Sequence, residues 1–303
     1  MTGGPCLRII DGIYARRQSN AQQDQGEQGI DTQSWIRGTV FVGVLLALVL
    51  AERLAPRRAE HGDSARLASN LSLVAVDTLL LRLLLPVAAY GVAIACEQRG
   101  IGLFHLLELP TAAAVLLSVI ALDALIYWQH RLFHAFGPLW RLHRVHHTDP
   151  AIDVTTALRF HPLEILLSMA IKIAAVAALG APALAVLLFE VLLNACAMFN
   201  HADWKLPARV DAPLRRLVVT PDMHRVHHSV DPAETHRNFG FCLSTWDRLF
   251  GSYTAHPAAG HRDMRIGQAD NRGAREQWLD ALLLQPFRHR GASIRSHNKN
   301  KLS

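Results

Sequence analysis

The chain has 303 residues, of which 50% are hydrophobic and only 18% charged, with a mean hydropathy of +0.16; the charges avoid several long stretches, which excludes an ordinary soluble domain. The formal net charge of +6 borders apolar runs rather than an aromatic-laced soluble face, so it points to lipid headgroups and not to nucleic acid. Four cysteines (Cys6, Cys96, Cys196 and Cys242) lack pair spacing, which excludes a disulfide framework or a cysteine zinc site.

Residues 1–34 are polar and rich in Gln and Gly. They have no basic start followed at once by an apolar run, so no cleavable signal peptide is expected, and the segment reads as a disordered tail. Apolar segments follow at about 35–51, 67–95, 110–128, 162–179 and 182–199. The first ends in a basic, Pro-marked stop at Glu52 to Arg58, and the second carries Asp77 and Arg82. The last two are joined only by Gly180-Ala181 and read as a hairpin that enters and returns. Each is about long enough for a bilayer span of ~17–25 residues, the hairpin arms being at the short end.

The fold class expected is therefore all-α, a polytopic membrane bundle of four to five segments. The loop after the first segment holds Arg53, Arg57, Arg58 and Arg66, against Arg99 alone in the loop after the second. That asymmetry places the first loop, and with it the regions 129–162 and beyond 200, on the cytosolic face of the cytoplasmic membrane. Lys172 and Glu190 lie equally far on either side of Ala181, so the hairpin sets them at similar depth, where they are expected to pair. Residues 266–287 include a candidate interfacial helix, "EQWLDALLLQPF". Residues 288–303 read as a disordered basic tail.

Histidine carries the chemistry. "HRLFH" supplies His130 and His134, and "HRVHH" occurs twice, supplying His143, His146 and His147, then His224, His227 and His228. "FNHADW" adds His201, and "RFHPLE" adds His161. Residues three and four apart share a helical face, so each cluster presents imidazoles together. Imidazole is the commonest metal ligand near neutral pH, and nine or ten exceed one site and suit two metals. Iron, zinc, copper and nickel all accept it. H-E-x-x-H and G-x-S-x-G are absent, which argues against a zincin or a serine hydrolase. Asp123, Tyr127, His130 and His134 form one stripe, in which Asp123 is a candidate acceptor for a ligand's free N–H; Asn200, Asp222 and Glu164 are similar candidates.

The pattern H-x-x-x-H, H-x-x-H-H, H-x-x-H-H resembles the fatty acid hydroxylase/sterol desaturase superfamily of membrane proteins. So do "DALIYWQHRLFH", "LWRLHRVHH", "TALRFHPLE", "TPDMHRVHHS" and "NFGFCLSTWDRLFGSY", and the likeness spans about residues 40–265 within a domain expected at 35–265. The whole chain resembles the bacterial sterol desaturase-like proteins of that superfamily. The resemblance implies a transmembrane bundle under a cytosolic helical cap that holds a non-haem di-iron centre. Its ligands would be His130, His134, His143, His146, His147, His224, His227 and His228, with His201 and His161 matching further histidines. It also implies O2, a lipid substrate such as a sterol or fatty acyl chain, and electrons from a separate donor of cytochrome or ferredoxin type. Two rivals remain open on the residues alone: a zinc-dependent membrane lipid hydrolase, since zinc fits imidazole too, and a non-catalytic metal-binding membrane scaffold.

Overall fold

The structure, a computed structural model, describes residues 32–58, 63–85 and 87–288. The tails expected to be disordered fall outside the described residues apart from 32–34 and Arg288. Among the described residues the chain is helical, with three isolated β-bridges and no strand. Five stretches are long and apolar enough to cross a membrane. The first is α1, Thr32–Leu54. The second apolar stretch divides into α2, Ser64–Leu84, and α3, Ala89–Arg99, followed by the single turn α4, Leu103–Leu106. Pro86, which has no N–H to donate, lies in the sequence between α2 and α3. Then come α5, Thr111–Ala135; α7, Pro162–Leu179; and α8, Ala183–His201. Between α5 and α7 lies α6, Gly137–His147, and after α8 come α9, Ala208–Leu214, and α10, Pro221–His227.

The long helices pack through small and branched apolar side chains, including Leu48, Ala93, Leu122, Val176, Val186 and Phe189. Their outer faces carry exposed Leu46, Leu79, Leu116 and Leu188, the all-round apolarity of helices that face lipid. At one end of the bundle, the α7–α8 turn meets the α3–α4 turn. Gly180 (φ +64°) and Gly102 (φ +113°) face each other there, and a Cβ on Gly102 would sit 2.2 Å from the Gly180 nitrogen. Only glycine fits the backbone and the space at both positions.

Lys172 and Glu190 pair across the hairpin, Nζ to Oε1 at 3.0 Å. Arg37 of α1 reaches the second carboxylate oxygen at 2.6 Å, so the pair expected from the sequence is a triad that ties three helices. Such a cluster answers the cost of charge within a membrane.

The other end of the bundle collects the polar helix ends. Here α1 finishes, α5 delivers His130 and His134, α7 begins just after His161, and α8 delivers His201. The Glu52 carboxylate accepts from the Val154 and Asp203 N–H groups, both at 2.7 Å, and so ties α1 to the segment after the first repeat and to the segment after α8. The C-terminal stretch forms two short 3-10 turns around a six-residue helix, Leu279–Leu284. That helix docks Leu282 against Leu73 and Val145. Trp278, Leu284 and Phe287 remain exposed on its outer face.

Candidate metal centre

Nine histidines meet at this polar end, and all nine are buried. They divide into two groups. His130, His134, His143, His147 and His227 form the first, and His146, His201, His224 and His228 the second; within each, the ligand atoms lie within 4.8 Å of one another. The division follows from helix geometry. At 100° per residue, positions i and i+4 point nearly the same way, whereas i+3 points about 100° from i+4. So α6 sends His143 and His147 to the first group and His146 to the second. The second repeat, on α10 and its C-cap residue His228, does the reverse: His224 and His228 join the second group and His227 the first. Each repeat therefore serves both groups with opposite allocation. The rings of His147 and His228 stack at 4.6 Å, where the groups abut.

The nitrogens are arranged as cation ligands. His201 Nε2 lies 3.0, 3.1 and 3.2 Å from the Nε2 atoms of His146, His224 and His228. In the first group His147 Nε2 lies 3.1 Å from that of His134 and 3.2 Å from that of His143. The facing Nε2 atoms of His146 and His201 cannot satisfy one another. His146 donates through Nδ1 to the Arg159 carbonyl (3.2 Å) and His201 to the Ala197 carbonyl (2.6 Å), which leaves a lone pair on each facing Nε2. The Nε2 atoms of His130 and His227 are buried with no hydrogen-bond partner, while their Nδ1 atoms donate to the Phe239 carbonyl (2.8 Å) and the Arg237 carbonyl (2.7 Å). Buried lone pairs that converge in this way fit a metal ion in each group, which would take up their charge. For metal–nitrogen bonds of about 2.1 Å, ligands at right angles lie about 3.0 Å apart and tetrahedral ones about 3.4 Å. The observed separations of 3.0–3.2 Å lie between the two values, within reach of a shared metal ion.

Second partners fix the imidazoles. His143 Nδ1 donates to Glu164 Oε1 at 2.7 Å, so the Glu of "RFHPLE" orients a histidine of the first repeat. Glu164→Ala is expected to weaken metal binding at the first group by about 10–100-fold, measured by chelator competition with the second group as internal control. The Arg of the same motif, Arg159, donates to the Val145 carbonyl (2.9 Å) and to Gln277 (2.8 Å). It therefore braces α6 and the C-terminal segment.

Not every candidate reaches an imidazole of the two groups. His161 caps α7, its Nδ1 accepting from the Leu163 N–H at 3.2 Å while Nε2 faces the Leu283 carbonyl; both nitrogens are committed away from either group. Asp123 accepts from the Cys242 and Leu243 N–H groups and from Trp246 Nε1 (2.8 Å). It holds the 242–246 loop rather than a ligand. Asn200 donates to the Phe241 carbonyl (3.1 Å). Asp222 pairs with Arg57 and the fully buried Arg225, so the arginine of the second repeat is structural and not a headgroup contact. Asp247, which the sequence reads as structural, accepts from the Phe239 and Gly240 N–H groups (2.8 and 2.9 Å) and so presents the carbonyl that holds His130. Its signal was present in "NFG…WD". His236, 3.3 Å from His134 Nδ1, stands alone in the sequence and gave none.

Burial drives the His143 imidazole down to about 3. His146, His147, His224, His227 and His228 are likewise held well below 6.5 by burial, with neighbouring imidazoles adding to it. The unfolded chain then binds more protons than the folded one below about 6.5, so the contribution to stability is full above that value and lost as pH falls towards 3. Metal ligation requires the same neutral form and reinforces the trend. Acidification from pH 7.5 to 5 should therefore lower the thermal midpoint and release metal, as read by unfolding with a chromogenic chelator present.

Residues 115–252 match the family model described as fatty acid hydroxylase, a span that contains all nine histidines of the two groups. The match covers just under half of the chain. The chain is similar to the ornithine lipid hydroxylase OlsE of Rhizobium tropici, with 30% identity over 60% of this chain and 53% of that protein. It is also similar to the alkylglycerol monooxygenases of Danio rerio (33% identity over 50% of this chain and 33% of that one) and Homo sapiens (28% over 46% and 30%). It thus aligns with about half or less of the length of these relatives. No solved structure matches. Within the family match, both repeats, "HRLFH" and His201 supply the two histidine groups, and Glu164 and Asp247 support them.

Proposed function

We propose that the protein is a membrane-embedded di-iron oxidoreductase that hydroxylates, or by related chemistry desaturates, a lipid. The observation that carries this reading is the convergence of nine buried imidazoles into groups of five and four at one end of an apolar helix bundle. The nine histidines are the proposed ligands. A group of five exceeds the four ligands of a zinc site, which favours iron over the zinc hydrolase. Bound there, a metal pair supplies reductive activation of O2.

The protein's own residues do the rest. Carbonyls and Glu164 hold the tautomers of His130, His143, His146, His201 and His227, leaving the Nε2 of each free to ligate. A cavity of about 260 Å3 lies among α1, α2, α5, α7 and α8, reaching His130 and His143 at its inner end. Thr78 and Asn194, exposed on the flank of the bundle, line it as well, which supports entry of a lipid chain from the side. Phe41, Ile126, Phe133 and Leu193 make its walls apolar and exclude water from the chain they hold. The relatives named for an ornithine lipid and an alkylglycerol support a polar lipid as substrate. Electrons come from a separate cytochrome or ferredoxin-type donor. Arginine placement supports the cytoplasmic membrane, with the metal centre on its cytosolic side.

The test is O2 uptake by purified protein with host membrane lipids and a chemical reductant, followed by mass spectrometry of the lipids. A lipid gaining one oxygen or losing two hydrogens only when reductant and O2 are both present is expected. Hydrolysed lipid formed without reductant would establish the hydrolase instead, and intact lipid with bound metal the scaffold.

A further inference from the structure

Asp77 sits on α2 as a 6% exposed carboxyl group among the apolar residues of the helix's middle turns, and its Oδ1 has no hydrogen-bond partner. It lines the cavity described above. Two more acceptors line the same space without partners: Glu164 Oε2, on a residue 4% exposed, and Gln129 Oε1. Three donors on these walls are engaged, the Ser168 hydroxyl hydrogen apart. Gln129 Nε2 donates to Ser168 Oγ (2.9 Å), Asn194 to the Glu190 carbonyl (2.9 Å) and Thr78 to the Val74 carbonyl (2.7 Å). No lysine or arginine is among the lining residues. The cavity is thus apolar with three unpartnered oxygens on its walls, and buried polar groups left unpaired are costly.

We propose that Asp77, Glu164 and Gln129 form a subsite for a hydrogen-bond-donating group of the lipid, an ammonium or a hydroxyl. An N–H or O–H entering the cavity supplies what all three oxygens lack, whereas a methyl, ether or carboxylate end supplies nothing or adds repulsion. Glu164 also holds His143, so a donor bound there lies beside the first metal group. The subsite selects lipids with a free amine or hydroxyl over plain hydrocarbon or fully capped chains. It rests on the reading that this cavity holds the lipid.

The experiment uses the full chain loaded with zinc, so that no O2 chemistry can proceed, in phosphatidylcholine nanodiscs. Apparent affinity is read from the rise of the thermal midpoint with added probe. The probes share one chain length: dodecylamine, 1-dodecanol, dodecyl methyl ether and laurate. Dodecylamine or dodecanol is expected to bind at least about ten-fold more tightly than the ether or laurate, and Asp77→Asn to remove that advantage for the amine. Gln129→Leu serves as a second variant should Asp77→Asn lose zinc, and is expected to weaken whichever donor probe binds. A stronger amine assigns the natural group as an ammonium, a stronger alcohol as a hydroxyl. Equal binding of all four probes, abolished when Ser168→Trp fills the cavity, would overturn the donor subsite and leave the lipid cavity intact. No binding by any probe, or binding unchanged in Ser168→Trp, would overturn both.

Discussion

Replacing His201 with alanine is expected to halve the metal content, from about two ions per chain to about one, and to lower turnover by on the order of a hundred-fold or more. His201 is the hub of the second group, its Nε2 within 3.2 Å of three other Nε2 atoms. It enters from the last turn of α8, a helix that contributes nothing else to either group. Its loss removes one ligand of four while leaving the five of the first group in place. Metal analysis of the purified variant beside wild type measures the effect. Retention of two tightly held ions would show that His146, His224 and His228 suffice, and would remove His201 from the ligand set.

Arg66→Met should cost about 3–5 kcal/mol of stability, because it strands a buried carboxylate. The Arg66 and Asp149 side chains are 2% and 0% exposed and form an ion pair, and Arg66 also reaches Asp153 Oδ2 at 2.6 Å. Asp149 lies two residues beyond the first repeat, so this pair clamps the start of α2 to the end of α6. Asn70 and Thr156 also donate to Asp149, but neither is charged. The thermal midpoint of Arg66→Met should fall together with metal occupancy, and the double variant Arg66→Met/Asp149→Leu should recover part of the loss. A single variant as stable as wild type would mean that solvent reaches Asp149 after all.

Much of this molecule was legible in the sequence because its signals are local. Runs such as 162–179 and 182–199 are too apolar for water, and their length matches a bilayer. The i, i+3 and i+4 spacings put imidazoles on one side of a helix, and Lys172 and Glu190 follow from a hairpin counted outward from Gly180-Ala181. The break between α2 and α3 was not read, since hydropathy is continuous through it and a proline can kink a helix or end it.

The sequence by itself determined that helices carry paired histidine clusters at the ends of apolar spans, in numbers that exceed one metal. That much depends only on residue type and spacing. Tertiary structure alone decided how the histidines are shared: five and four, with each repeat split between the groups. The 100° step between i+3 and i+4 acquires meaning only once α6, α10 and the ends of α5 and α8 surround the same two points. It also decided that His161 caps a helix while Glu164, three residues on, holds His143. The chain order of two such residues says nothing about which one faces inward. Asp77 shows the same dependence. In the sequence it is a charge in an apolar run that also holds Arg82, and only the packing of α2 against α7 gives its carboxyl group a cavity shared with the metal centre.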